Sequence, residues 1–355
     1  MDSEQMDKIN QELLNIIQKD FPIVKRPYRE IGLRLDITEE EVMDRLKFLK
    51  GDVIRQISAI FDTRSLGYKS SLVAAKVDAD KIDEAVKVIN QHPGVSHNYK
   101  RNHDFNMWFT IALPSNSKLG LEKTVEVLGK MAGVESIRIL PTLKIFKIGV
   151  QLDMTGKETK TKSELPAYSG KKRKIEIQPL TEKEIEMIRV LQKDLEITPE
   201  PFKTLAEEAR VTVKELLDQA KVFNETGQMR RFAAVLYHRN AGFKANGMVV
   251  WKVPQEIQEE IGFKMAAYRA VSHCYLRPTY LDWPYNIFTM VHGRDEIEVK
   301  ELLDMIEKEM NITERYVLYS TKEYKKTRVQ YFTPEIEEWE ENVVKIAKPL
   351  IKKVL

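Results

Sequence analysis

Two stretches of this 355-residue chain place a histidine, a tyrosine and an arginine at alternate positions. The longer runs Ser272-His273-Cys274-Tyr275-Leu276-Arg277 and continues through Pro278-Thr279-Tyr280-Leu281-Asp282-Trp283-Pro284-Tyr285-Asn286 into an apolar segment. The shorter runs Ser96-His97-Asn98-Tyr99-Lys100-Arg101 and reaches Phe105-Asn106-Met107-Trp108-Phe109. Alternate side chains of a strand share one face, about 7 Å apart. His97, Tyr99 and Arg101 therefore project together, as do His273, Tyr275 and Arg277. An imidazole can ligate a metal or move a proton near neutral pH, and a guanidinium can hold a carboxylate through two parallel hydrogen bonds. For any single arginine an ordinary intradomain salt bridge is the plain alternative; repetition of the triplet favours a site.

Further candidates surround the triplets. Tyr237-His238-Arg239-Asn240-Ala241-Gly242-Phe243 answers Arg64-Ser65-Leu66-Gly67-Tyr68 in the first half, which adds His238, Arg239 and Arg64. Trp108, Trp283 and Tyr285, with Phe105 and Tyr280, supply a broad aromatic surface. Residues 279–284 have no counterpart before Phe105 and are enclosed by Pro278 and Pro284, so they read as a rigid loop covering a ligand. Together these describe a flat apolar cavity rimmed by arginines, with histidines available to a metal or as proton donors. Cys274 points away from His273 and reads as a small core residue. His92, and more weakly His103 and His292, read as ordinary core or surface histidines.

Several chemistries are absent. There is no Gly-x-Ser-x-Gly, phosphate loop or His-Glu-x-x-His. A single cysteine excludes a disulfide framework and any multi-cysteine metal site. A net charge of +3 from 57 basic and 54 acidic residues gives no whole-chain argument for nucleic acid or membrane. No apolar run reaches membrane-spanning length and the N-terminus lacks a leader pattern, so a cytoplasmic location is expected.

The elements that carry these residues follow from periodicity. Met6, Ile9, Leu13, Ile16 and Ile17 fall on one helical face. Pro27-Tyr28 opens a second short helix, and Thr38-x-x-Glu41 reads as a capping box starting a third through Val42, Leu46 and Leu49. That is a helix-turn-helix pattern, and the extended stretch 53–68 follows as its wing. From Ser70 to Gly149 the order is β-α-β-β-α-β, the ferredoxin-like split unit, ending in a strand or a pair of strands. Residues Met154–Lys174, rich in Lys, Thr, Ser and Gly, read as a solvated linker. The first half then repeats: Ile16–Ile23 returns as Val190–Ile197, Pro27-Tyr28 as Pro201-Phe202 and Thr38-x-x-Glu41 as Thr212-x-x-Glu215. The chain is predicted to be α+β, a tandem duplication of a winged helix-turn-helix followed by a ferredoxin-like domain. The spans are 1–66 and 67–153, a linker at 154–175, then 176–241 and 242–355, the last including a C-terminal helix. The halves should form a pseudo-dimer within the chain, with further self-association left open.

This architecture resembles the Lrp/AsnC regulators, which implies DNA binding. A recognition helix reads bases with cationic or amide side chains at its start. Here the first such helix opens Glu39-Glu40-Glu41, and the second carries Lys214, Glu215, Leu216, Leu217 and Asp218 without an arginine. DNA binding is therefore expected to be lost, with a ligand-sensing regulator as the alternative function. The detailed motifs, His273-x-Tyr275-x-Arg277-Pro278-Thr279-Tyr280 with Asp282-Trp283-Pro284-Tyr285, the 237–243 turn, and His97-x-Tyr99-x-Arg101 with Asn106-Met107-Trp108-Phe109, look like the siroheme decarboxylases, with the two homologous subunits fused into one chain. That resemblance implies removal of two acetate carboxyl groups from siroheme to give didecarboxysiroheme in an alternative heme or related tetrapyrrole pathway. The iron tetrapyrrole binds as substrate and no added cofactor is required. The resemblance further implies His273 and His97 as proton donor or iron ligand, with Tyr275 and Tyr99 in support. Arg277, Arg101, Arg239 and Arg64 would anchor carboxylates, and His238 could serve either role. Trp108, Trp283 and Tyr285 would face the macrocycle, in one dominant site lined by the second-half motif.

Overall fold

The computed structural model describes residues 7–19, 21–148, 179–236, 245–293 and 295–346. The linker expected at 154–175 and the 237–243 turn, with its His238 and Arg239, lie outside them. The chain divides into two compact units, but not as one half beside the other. Residues 1–69, 174–240 and 330–334 form the first unit, and residues 70–173, 241–329 and 335–355 the second. Both helical triplets thus share one unit and both sheets the other. Among the described residues no helix is long and apolar enough to cross a membrane.

The first unit holds α1 (Lys8–Lys19), α2 (Pro27–Leu35) and α3 (Glu39–Leu49), and their repeats α6 (Glu182–Leu191), α7 (Phe202–Glu208) and α8 (Val213–Glu225). Capping threonines start α3 and α8 where the sequence predicts. Thr212 and Glu215 form the full reciprocal box at α8, whereas at α3 only half of it forms. Thr38 accepts the Glu41 amide at 3.1 Å, while the Glu41 carboxylate turns to Arg45. Glu39 is buried against Arg26, so two of the three carboxylates opening α3 have partners within the unit. The expected wing does not fold back on its own half. Its strand β1 (Ile54–Phe61) pairs antiparallel with the repeat's β7 (Met229–Leu236). Each half offers one strand with buried positions such as Ile57 and Phe61, and the duplicate supplies the missing ladder.

The second unit contains β2 (Lys69–Lys76), α4 (Ile82–Gln91), β3 (Val95–Arg101), β4 (Met107–Leu113), α5 (Gly120–Met131), β5 (Ser136–Leu140) and β6 (Lys144–Ile148) from the first half. The second half adds β8 (Ala245–Trp251), α9 (Gln258–Ala266), β9 (Val271–Leu276), β10 (Ile287–Gly293), α10 (Glu296–Met310), β11 (Arg315–Leu318), β12 (Ser320–Lys326) and α11 (Glu335–Ile346). Each half builds the four-stranded sheet of the split β-α-β-β-α-β unit, then sends its last strand away. The two sheets run β12-β3-β4-β2-β5 and β6-β9-β10-β8-β11. β12 thus covers β3 and β6 covers β9, so the strands bearing the His-Tyr-Arg triplets, which would otherwise be open edges, become interior.

Helices cover one side of each sheet, and in the second half Phe146, Trp251, Met265, Cys274, Leu302 and Ile306 fill that helix–sheet core. A second buried cluster joins the two sheets: Ala74, Phe105, Trp108 and Leu140 pack with Met248, Val250, Trp283, Phe288 and Leu318. Helix α11 packs on first-half residues. Glu340, fully buried, accepts from Ser117 Oγ at 2.5 Å and from the Lys118 amide at 2.9 Å beside the start of α5, and Trp339 lies 4.3 Å from the buried ring of His92.

His92 behaves as the sequence predicts, as a core histidine. Its Nδ1 accepts the Gly94 amide at 2.9 Å, and burial holds its pKa at about 3. The unfolded chain, with an ordinary pKa near 6.5, binds this proton more readily, so stability is full above pH 6.5 and is lost as pH falls towards 3. The loss from this one group reaches roughly 4–5 kcal/mol at about pH 3. Denaturant midpoints of the wild type should fall more steeply between pH 7 and 4 than those of His92→Gln, and parallel curves would contradict this.

Candidate active site

The two triplets form matching columns. The rings of His97 and Tyr99 lie 6.3 Å apart with 28° between their planes, and the Arg101 guanidinium sits 5.7 Å from the Tyr99 ring. In the second half His273 and Tyr275 are 5.9 Å apart at 35°, and Arg277 sits 5.2 Å from the Tyr275 ring. All six side chains are half-buried. Strand alternation explains the column. Asn98 and Cys274 point to the opposite side, Asn98 to Asn90 on α4 and Cys274 into the helix–sheet core. The columns therefore occupy the helix-free faces of the sheets, and Tyr275 abuts the cluster that joins them.

A β-bulge at the head of each column adds residues that sequence alternation assigns to the other face. Val95 and His97 pair with Ile111 and Thr110, leaving Ser96 as the extra residue. Val271 and His273 pair with Val291 and Met290, leaving Ser272. A bulge re-aims its side chain, and each serine reaches the histidine beside it. Ser96 Oγ is 3.1 Å from His97 Nδ1 and 2.8 Å from Thr110 Oγ1. Ser272 Oγ is 2.9 Å from His273 Nδ1 and 2.7 Å from His292 Nε2. The only sequence signal for the serines is their recurrence at the head of both motifs. Burial lowers the pKa of His273 below the usual imidazole range, and the Lys147 ammonium adds to the effect. Burial, then proximity to His273, does the same for His292.

The arginines are tied to the strand exchange. Arg101 donates from a terminal guanidinium nitrogen to the Leu318 carbonyl at 2.7 Å, and Arg277 does the same to the Leu140 carbonyl. Both carbonyls end the strand that precedes a crossing to the other sheet. Arg101 keeps a buried Nε with no hydrogen-bond partner among the described residues. Burial lowers its pKa to about 10, so it stays cationic at neutral pH.

Other expected site residues fall elsewhere. Trp108 and Trp283, expected to face a ligand, are buried in the cluster between the sheets with ring centroids 5.1 Å apart. Tyr285 lies 5.1 Å from Trp283. The 279–284 insertion is a clamp on the first sheet rather than an open cover. Asp282 receives two hydrogen bonds of 2.8 Å from Arg138 on the edge strand β5, and Tyr280 donates to the Ile139 carbonyl at 2.6 Å. An aromatic loop that ends in a tryptophan gains more by burying that ring than by leaving it wet. Arg64 is exposed in a turn of the first unit, whereas both columns belong to the second. A cleft of about 670 Å³ abuts the arginine end of the second column, lined by Arg277, Pro278, Thr279, Pro284 and Asn286, but its lining excludes both column histidines.

Paired helix-turn-helix elements with two strand-exchanged ferredoxin-like sheets define an AsnC-like ligand-binding protein. The family model for the AsnC-like ligand binding domain matches residues 65–147 and 240–325. The model for the siroheme decarboxylase NirDL-like helix-turn-helix domain matches residues 10–55 and 184–230. The chain is 39% identical to a siroheme decarboxylase of Hydrogenobacter thermophilus over 92% of its own length and 96% of the relative's. It also aligns at 44% identity with a siroheme decarboxylase alpha subunit of Desulfovibrio desulfuricans, covering 42% of this chain and 85% of that subunit. Among solved structures, the siroheme decarboxylase NirDL in co-complex with an iron-uroporphyrin III analogue matches with a TM-score of 0.75 and 33% identity, over 96% of this chain and 99% of that one. The chain belongs to the siroheme decarboxylase family. Its two halves correspond to homologous subunits joined in one polypeptide, in keeping with the repeated domain matches.

Proposed function

We propose that this enzyme removes the two acetate carboxyl groups of siroheme, releasing them as carbon dioxide and leaving didecarboxysiroheme; it is a carboxy-lyase. The observation that carries the reading is the pair of His-Tyr-Arg columns in a chain that follows the siroheme decarboxylases along nearly its whole length. In each step the bond from the methylene carbon to the carboxylate breaks and both electrons stay on that carbon, where the pyrrole system can delocalise them. One proton then replaces the carbon dioxide. The chemistry is redox-neutral, so binding, orientation and a proton donor suffice without an added cofactor.

Arg101, a half-buried cation with an unpartnered Nε, is suited to hold a peripheral carboxylate by a charge-assisted bond. Tyr99 and Tyr275 orient the substrate by donating from their hydroxyls; burial pushes the Tyr99 phenol above its usual range, keeping it protonated. His273 delivers the proton to the methylene carbon, and His97 serves as the ligand of the substrate iron through a neutral ring nitrogen. Purified protein incubated anaerobically with siroheme should release two molecules of carbon dioxide per tetrapyrrole consumed. Release of none, with siroheme bound and unchanged, would reduce the protein to a carrier or sensor.

A further inference from the structure

The two columns differ behind the histidine. Counting from the aligned asparagines Asn106 and Asn286, His292 occupies the position of Ala112. The backbone agrees: the Ala112 amide donates to Gly94 O and the His292 amide to Ala270 O, both at 3.0 Å. The serine of the first half therefore ends on a hydroxyl, Thr110, and that of the second half on an imidazole. A hydroxyl passes a proton on only when a further group resupplies it; an imidazole has both a donor and an acceptor nitrogen and can resupply it.

We propose that His292 and Ser272 form a proton relay that recharges His273, which makes the second column the acid. The inference rests on the decarboxylase reading above. His273 gives its Nε2 proton to the methylene carbon and takes the Ser272 hydroxyl proton on Nδ1. Ser272 recovers a proton from Nε2 of a neutral His292, whose Nδ1 takes one from solvent water. The proton drawn from solvent offsets the carboxylate that leaves as neutral carbon dioxide, so charge balances, and a flip of each ring after product release restores the starting arrangement. The fully buried Ser272 sits 2.9 and 2.7 Å from the two rings, a continuous path.

The test is anaerobic turnover of siroheme by the full chain carrying His292→Ala, His292→Gln or Ser272→Ala. The relay predicts kcat lower by about 10²-fold in each, KM within about two-fold of wild type, and partial recovery of His292→Ala on adding imidazole to the buffer. His292→Gln can keep a hydrogen bond to Ser272 but cannot exchange a proton, so it should be as slow as the alanine variant. Wild-type kcat in His292→Gln, or a change confined to KM, would overturn the relay. An inactive wild type would instead overturn the decarboxylase reading itself.

Discussion

Replacing His273 with alanine is expected to lower siroheme turnover about 10²- to 10⁴-fold, the usual span for loss of a positioned general acid. The fall should be in kcat, because the proton is delivered only as the carbon–carbon bond breaks, whereas the substrate carboxylates are held by other groups. Folding should be little affected. His273 is half-buried on a helix-free face and bonds to Ser272, which retains His292 as a partner. His97→Ala provides the contrast: loss of the proposed iron ligand is expected to change the absorption of the bound tetrapyrrole. Single-turnover rates with matched absorption spectra separate the two. Equal kcat in wild type and His273→Ala would remove His273 from the chemistry.

The largest structural effect is expected at Trp283. The side chain is fully buried, with Trp108, Tyr285, His103 and Phe105 between 5.1 and 5.5 Å by ring centroid. Truncation to alanine removes a ring from the cluster joining the two sheets and should cost about 3–5 kcal/mol. The indole Nε1 is buried without a hydrogen-bond partner among the described residues. Trp283→Phe, which discards that unsatisfied group and keeps most of the ring, should therefore cost much less. Urea unfolding of the three proteins measures both differences. A cost under about 1 kcal/mol for the alanine variant would mean that the cluster is not what joins the sheets.

Much of this was legible before any coordinates, for physical reasons. Period-two alternation fixes which side chains share a strand face, so the His-Tyr-Arg columns and the inward turn of Cys274 could be read directly. The duplication, visible in Thr38/Thr212 and Pro27/Pro201, set the domain plan. Exchange of β6 and β12 between sheets could not be read, because a strand's pattern shows that it pairs and not with which half. The same limit misassigned β1 to a local wing. Bulges escape alternation by their nature, so the contacts of Ser96 and Ser272 with the histidines beside them, and of Ser272 with His292, are not legible in the sequence. Trp108 and Trp283 illustrate a different failure: an aromatic stripe suits a ligand wall and a core equally, and only packing decides. The arginines were placed on the right face, but their bonds to Leu140 and Leu318 carbonyls depend on the strand crossings and were beyond reach.

The most direct test of the account is anaerobic reaction of the wild-type chain with siroheme in deuterated water, followed by mass analysis of the tetrapyrrole. The account predicts a product in which two carboxyl groups are gone and each is replaced by one solvent deuteron on the former methylene carbon. Siroheme recovered with all its carboxyl groups would contradict it.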